Sequence, residues 1–469
     1  MFRTAFLILS GNAAASLVLL VRNLAVARMI SVEDYGIAAT FALVVSLLEM
    51  ASALGLQQQI VQSKEGDDPD FQAALQGFQL MRGLMSGLAL FLLAGPVADF
   101  MNVPEVAWAY RAVALVPVLN AFQHFDIHRL NRDMVFGPML LTRLAPAVVS
   151  LLLVWPLVIW FGDYRVMLGC ILVGAALGVA TSHLTARRPW RARFDRRVIT
   201  GSLRFGWPLL VNNALLFAVF NGDRVLVGRE LGMETLAIFS MGMTLTLTPT
   251  LVLAKSTQNF FLPQLSRLWA AEPRQEARFT RIAHAVIEVP LLAGTLLAVG
   301  VYLLGEPVVY LLLGEKYLSL LPYMTWFAVM QALRIAKSGP SIVALAAGHT
   351  SNAMIANFIR IAVLPLAWYV AVTTGDLLLI IQIAAAGEFL GYLVALILVR
   401  VRVGLPLRAL TLPLASVALL LFAVVLLDRT AAGGTAPTVA PLWAWGILAL
   451  LLSFVGIAMR DLRRYALRR

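Results

Sequence analysis

A chain of 469 residues, 60% hydrophobic and only 13% charged, with a mean hydropathy of +0.84, does not have the make-up of a water-soluble globular protein. Apolar runs of about twenty residues follow one another with little polar surface between them, which points to membrane-spanning helices and away from the roughly ten-residue alternating strands of a barrel. The net charge of +12 is explained by positive residues gathered in cytoplasmic loops and does not call for nucleic acid as a partner.

The first apolar stretch covers residues 4–28 and carries Asn12, Arg22 and Arg28. Its opening, MFRTAFLILSGNAAASLVLL, has the outline of a secretory signal, but the apolar run continues past the small residues and is read as the first span. Thirteen further segments can span, at 36–62, 74–96, 106–124, 137–161, 166–186, 200–222, 235–256, 282–304, 318–345, 351–372, 377–399, 410–427 and 441–459. With the N-terminus inside, the inner connections hold 22 Lys and Arg and the outer ones 5, which places both termini in the cytoplasm. All outer connections are short, and no soluble domain is inserted. The longest inner ones, around 187–197 and 263–280, are basic and amphipathic enough to lie on the membrane surface. Cys170, the sole cysteine, sits in an apolar run and reads as a small core residue.

Shifting the chain by 201 residues superimposes Arg3 on Arg204, Asn12 on Asn213, Arg28 on Arg229, Glu33 on Glu234 and Gln57 on Gln258. Six spans separate the copies, so both halves enter the membrane in the same sense, as parallel repeats about an axis along the membrane normal. The expected fold is all-α and polytopic, with about fourteen spans. Its parts are an N-terminal six-helix lobe (1–197), a C-terminal six-helix lobe (198–402), and an appended helix pair with a basic cytoplasmic tail (403–469).

Ionisable groups inside spans cost about 2.5–3.5 kcal/mol each on insertion scales and face a bundle interior or a cavity. Arg22 lies roughly 28 Å along the helix from Arg3, so it reaches the outer headgroups as readily as it reaches a cavity. Arg28 stands about 240° around the helix from Arg22, and a straight helix cannot point both at one cavity. Arg360 is deeper, about 13 Å into its span, with Glu388 mid-span in the next helix; a charge pair and a ligand site are both open there. Arg334 and Lys337 share one face at a spacing of three, an arrangement suited to an anion. Asn12 and Asn213, at matching depths of the two lobes, suit hydrogen bonds to a ligand or between helices. His183 and His284, near inner span ends, read as interfacial polar residues. Glu49, Glu288 and Glu388 are the interior acids, available as charge partners or as carriers of a coupling proton or sodium ion. No Walker A loop, H-E-x-x-H or G-x-S-x-G is present, and neither a metal nor another cofactor is implied. Interior cations without catalytic companions point to a conduit or binding cavity for something anionic, and not to an enzyme.

Several motifs in order carry a family resemblance. They are R-N-L-A-V-A-R-M-I-S-V-E-D-Y-G at Arg22–Gly36, S-L-R-F-G-W-P-L-L at Ser202–Leu210 and N-G-D-R-V-L-V-G-R-E-L-G at Asn221–Gly232, followed by F-L-P-Q-L-S at Phe261–Ser266 and G-E-K-Y at Gly314–Tyr317. The chain resembles the polysaccharide transporter family of oligosaccharide flippases, within the multidrug/oligosaccharidyl-lipid/polysaccharide exporter superfamily. The resemblance implies two lobes around a cavity that opens alternately to either face of a bacterial inner membrane. It implies as substrate an oligosaccharide on a polyprenyl diphosphate, destined for O-antigen, capsule or exopolysaccharide, with membrane lipids, a polysaccharide polymerase and assembly proteins as partners. Cavity cations receive the diphosphate, and the positions carried over are Arg22, Arg28, Arg334, Lys337 and Arg360. Two rival readings are a cation-coupled drug antiporter of the same superfamily and a membrane polysaccharide polymerase or ligase. The first wants acids where positions 22 and 28 are Arg, and the second wants a larger external loop.

Overall fold

A computed structural model describes residues 2–271, 275–431 and 442–467, without the side chains of 2–10, Asn12, 429–431 and 466–467. Among the described residues every regular element is a helix, and ten helices are long and apolar enough to cross a membrane. Contacts divide the chain into two compact units, Met1–Ala237 and Ile238–Arg469.

The first unit runs through α1 (Phe2–Met29), α2 (Val32–Ser52), α3 (Leu56–Gln62), α4 (Pro69–Phe100), α5 (Ala107–Val113), α6 (Leu115–Ala121), α7 (Asp126–Arg132), α8 (Gly137–Trp160), α9 (Arg165–Thr185) and α10 (Arg196–Glu230). Local chemistry sets its boundaries. The Ser31 hydroxyl accepts the Asp34 N–H at 3.0 Å and caps α2, whose first turn carries Glu33 and Asp34 at the positive end of the helix dipole. Asp68 caps α4 ahead of Pro69, which has no N–H to leave unsatisfied there. The expected span 106–124 arrives as two short helices, α5 and α6, broken at Ala114. Leu56 and Ile60 of α3 pack with Phe71, Leu75 and Phe78 of α4 in a buried cluster. On α8, Leu152, Trp155, Ile159 and Trp160 are exposed, a surface suited to acyl chains with indoles at its edge.

The basic segment 187–197, expected on the membrane surface, is tied to the first unit by hydrogen bonds while most of its arginines stay exposed. Arg193 donates its N–H to the Ala73 carbonyl at 2.9 Å, Arg188 reaches Gln72 Oε1 at 3.1 Å, and the Asp126 carboxylate accepts the Arg187 N–H at 2.7 Å. His183 lies at the end of α9, its Nε2 2.9 Å from the Phe122 carbonyl.

The division falls in the first turns of α11 (Met233–Trp269). The second unit continues through α12 (Glu276–Leu313), α13 (Leu321–Ala346), α14 (Ser351–Ile361), α15 (Leu364–Thr373), α16 (Leu377–Val403), α17 (Thr411–Ala431), α18 (Leu442–Ala458) and α19 (Arg460–Leu467). Helices α10, α11 and α12 have 35, 37 and 38 residues. At about 1.5 Å per residue they run well beyond a hydrocarbon core of about 30 Å. The connection expected around 263–280 is therefore largely helical, because backbone hydrogen bonding continues where hydropathy stops.

Small residues bring α12 and α13 together: a Cβ on Gly294 would lie 2.7 Å from the Ala332 carbonyl oxygen, and one on Gly339 2.8 Å from the Ile287 Cα. Ile287 and Leu291 of α12, Val343 of α13, Leu396 of α16, Leu420 of α17 and Leu448 of α18 share one buried core. The last helix pair is thus built into the second unit.

Candidate functional site

Three elements of the second unit converge. Helix α13 places Gln331, Arg334 and Lys337 along one stripe by their spacing of three. Helix α16 supplies Glu388, preceded by Gly387 and followed one turn later by Gly391. A Cβ on Gly391 would sit 2.9 Å from the Ala356 carbonyl oxygen, and one on Gly387 2.6 Å from Val363 Cγ2 and 3.1 Å from Arg360 Cδ. The two glycines thus admit α14 against α16, and α14 carries Asn357 and Arg360. The expected span 351–372 breaks just after Arg360, since Pro365 lacks the N–H that would bond the Ile361 carbonyl. Arg360 occupies the last turn of α14, where the helix dipole favours a cation.

All three cations close on one carboxylate. Arg334 approaches Glu388 Oε1 with Nε at 2.8 Å and an Nη at 2.7 Å; Lys337 Nζ is 2.8 Å from Oε2; Arg360 Nε is 3.5 Å from Oε1. Polar neighbours steady the outer members: Lys337 donates to Asn357 Oδ1 at 3.2 Å, and Arg334 to Gln331 Oε1 at 3.4 Å. The Arg360 and Glu388 side chains are fully enclosed, whereas those of Arg334 and Lys337 keep 7% and 10% exposure. Three positive groups thus meet on one negative group among apolar helices. Buried charge is costly without a counter-ion. A guanidinium fork beside an ammonium is well matched to phosphate oxygens.

The sequence left Arg360 open between a pair with Glu388 and a ligand site, and read Arg334 and Lys337 as suited to an anion; the structure brings all four together. Gln331 and Asn357 were missed, although each lies three residues before a cation and so shares its face. Glu288 is engaged elsewhere: its carboxylate accepts the Leu462 N–H at 2.7 Å. His284, four residues earlier, sits between Asp461 and the Pro406 carbonyl.

The remaining candidates belong to the first unit. Arg22 donates to Asn23 Oδ1 at 2.9 and 3.2 Å, and Arg28 is exposed near the end of α1. Asn213 is half-buried on α10, and the side chain of Asn12 lies outside the described ones. Glu49 accepts from Asn120 Nδ2 at 3.1 Å with the Arg82 guanidinium nearby, and Arg82 in turn donates to the Ser52 carbonyl at 2.7 Å. Among the described residues no three His, Cys, Asp or Glu gather as metal ligands.

Comparison with solved structures shows the fold. The chain is similar to the lipid II flippase MurJ in an inward-closed conformation, with a TM-score of 0.71 at 15% identity over 99% of this chain and 100% of that one. It is also similar to an inward-facing multidrug resistance MATE family transporter of the MOP superfamily, with a TM-score of 0.68 at 14% identity over 83% and 94% of the two chains. Among curated sequences it resembles the succinoglycan biosynthesis transport protein ExoT of Rhizobium meliloti, 22% identical over 66% of this chain and 61% of the relative. It resembles likewise the lipopolysaccharide biosynthesis protein WzxC of Escherichia coli, 22% identical over 67% of this chain and 63% of that one. The chain thus spans somewhat less than two thirds of either relative. Residues 25–322 match the family model described as polysaccharide biosynthesis protein. The chain belongs to that polysaccharide biosynthesis protein family.

Proposed function

We propose that the protein is a flippase of a bacterial inner membrane. It carries an oligosaccharide linked to a polyprenyl diphosphate from the inner to the outer leaflet, for a surface or extracellular polysaccharide. The observation that carries this reading is the cluster of Arg334, Lys337 and Arg360 on the single carboxylate of Glu388. Its positive charge, partly open at Arg334 and Lys337, suits a diphosphate that must leave water to cross an apolar interior. The names of ExoT and WzxC, and the fold shared with MurJ, support the same substrate class.

In this mechanism Arg334 and Lys337 replace water around the diphosphate. Arg360, fully enclosed, acts through Glu388 and holds the other two cations in place. Fourteen spans arranged as lobes 1–197 and 198–402 with an added pair at 403–469, and both termini in the cytoplasm, would suit an alternating opening to either face. A polysaccharide polymerase and assembly proteins would receive the product. Coupling to a proton or sodium gradient would fall to Glu49, Glu288 or Glu388, each of which already accepts a hydrogen bond in this structure. A cation antiporter would need the acids to dominate, and at Glu388 they are outnumbered three to one.

The test is a deletion strain without a paralogue, complemented with wild type or with Arg334→Gln/Lys337→Gln. Lipid-linked repeat units are expected to accumulate on the inner leaflet in the deletion and in the double variant, at normal protein abundance. Normal outer-leaflet delivery without the protein would sink the proposal.

A further inference from the structure

A second cationic concavity lies elsewhere in the same unit, where α19 turns back from α18 and lies across the start of α12. Polar contacts hold it there. Glu288 accepts the Leu462 N–H at 2.7 Å; His284 places Nδ1 3.1 Å from Asp461 Oδ2 and Nε2 2.8 Å from the Pro406 carbonyl. The Tyr465 hydroxyl donates to Gln264 Oε1 at 2.9 Å, and its ring packs 5.6 Å from that of Phe261.

The docked helix closes one side of a pocket of about 380 Å³ whose other walls come from α11 and α12. Arg278, Arg281 and Arg464 line it, with Asp461 as the one carboxylate among the lining residues. Asp461 is already engaged by His284, and among the described residues no acid forms an ion pair with any of the three arginines. Three guanidiniums around one hollow repel one another, and the forked geometry of each matches a phosphate oxygen pair.

Depth narrows the source of the phosphate. Helix α18, apolar throughout, ends at Ala458 and the basic α19 begins at Arg460, so the pocket opens where an apolar helix gives way to a charged one. Ile282 and the Tyr465 ring give it an apolar edge. The positive-inside count assigns this end to the cytoplasm. Topology alone asks for positive charge on that face, but not for arginines of two different helices lining one hollow that a bonded-back helix closes.

We propose that this pocket binds the phosphate of an anionic phospholipid headgroup in the inner leaflet and that the bound lipid fastens α19 against α12. The site is separate from the Glu388 cluster and stands whether or not that cluster carries a diphosphate.

Phosphatidylglycerol is the probe, titrated onto the detergent-purified full chain and followed by native mass spectrometry, with phosphatidylcholine as the neutral comparison. Each basic residue beside a charged headgroup contributes roughly fivefold in affinity. R278Q/R281Q/R464Q is therefore expected to weaken phosphatidylglycerol binding by more than about tenfold while leaving phosphatidylcholine unchanged. R464Q alone, at an exposed position, is expected to weaken it about fivefold and keeps the test valid if the triple variant misfolds. Equal phosphatidylglycerol binding by R464Q and wild type overturns the proposal. Inorganic phosphate is the second arm, read by calorimetry: binding as tight as that of phosphatidylglycerol, lost in the same variants, would make the pocket a soluble-phosphate site and overturn the lipid assignment.

Discussion

Glu388→Gln removes one charge from the cluster and almost no volume, so its effect isolates the electrostatics. Arg334 and Arg360 share Oε1 at 2.7 and 3.5 Å, which puts their charged groups no more than about 6 Å apart. Their mutual repulsion is the same with or without the carboxylate; what glutamine removes is the attraction, about 5 kcal/mol for a unit pair at 3.5 Å in an effective dielectric near 20. Loss of one partner from a buried ion pair costs about 3–5 kcal/mol, so the two routes agree. The variant should therefore unfold several degrees below wild type, followed in detergent by size-exclusion fluorescence after heating. Inorganic pyrophosphate should return more of that loss in Glu388→Gln than it adds to wild type, because the anion takes the place of the missing carboxylate. Adding Arg360→Gln to the same chain should also recover part of the loss, since a repelling charge is removed with it. The reasoning fails if Glu388→Gln melts with the wild type, or if pyrophosphate stabilises Arg334→Gln/Lys337→Gln as strongly as Glu388→Gln.

Gly391→Val drives methyl groups toward the Ala356 carbonyl, 2.9 Å from the Cβ position, and should cost about 1–3 kcal/mol in thermal stability; an unchanged melting curve would mean that α14 is not held by that seam. Gly36→Ala should destabilise the first unit, since its Cβ would lie only 1.9 Å from the Met233 carbonyl oxygen; wild-type protease resistance would contradict this. Burial, with Arg143 nearby, holds the His128 imidazole down at about 4. The fold therefore keeps the neutral ring, and the stability gained is full above pH 6.5 and lost as pH falls toward 4, by about 3 kcal/mol. His128→Gln should flatten the fall in melting temperature across that window, and a wild-type curve already flat there would refute the assignment.

Much of the site was legible because ionisable groups inside apolar runs are few. Arg334, Lys337, Arg360 and Glu388 all stand out on that ground alone, and a spacing of three put the first two on one face. Which charge meets which was not legible. Glu388 lies 51 and 54 residues from Lys337 and Arg334, and whether it meets them and Arg360 depends on how closely α13, α14 and α16 approach. The seam that decides it, Gly387 and Gly391, is ordinary in a membrane helix. Glu288 shows the same gap: its partner is a backbone N–H 174 residues away, for which no side chain could have been the signal. Helical class and the positions of most spans followed from hydropathy. The breaks at Ala114 and after Arg360, and the long extensions of α11 and α12, follow from backbone hydrogen bonding and proline, to which hydropathy is blind.

A carrier that grips its cargo too well turns over slowly, because departure becomes the limiting step. The carboxylate of Glu388 bears on that directly. It sits among the cations, and in the proposed flippase it would compete with the cargo for them at every moment of its stay. Such an internal competitor speeds departure, and it also cancels part of the positive charge that draws an anion in. On this view the acid shortens the dwell time of the cargo, and its balance with the three basic groups sets the capture.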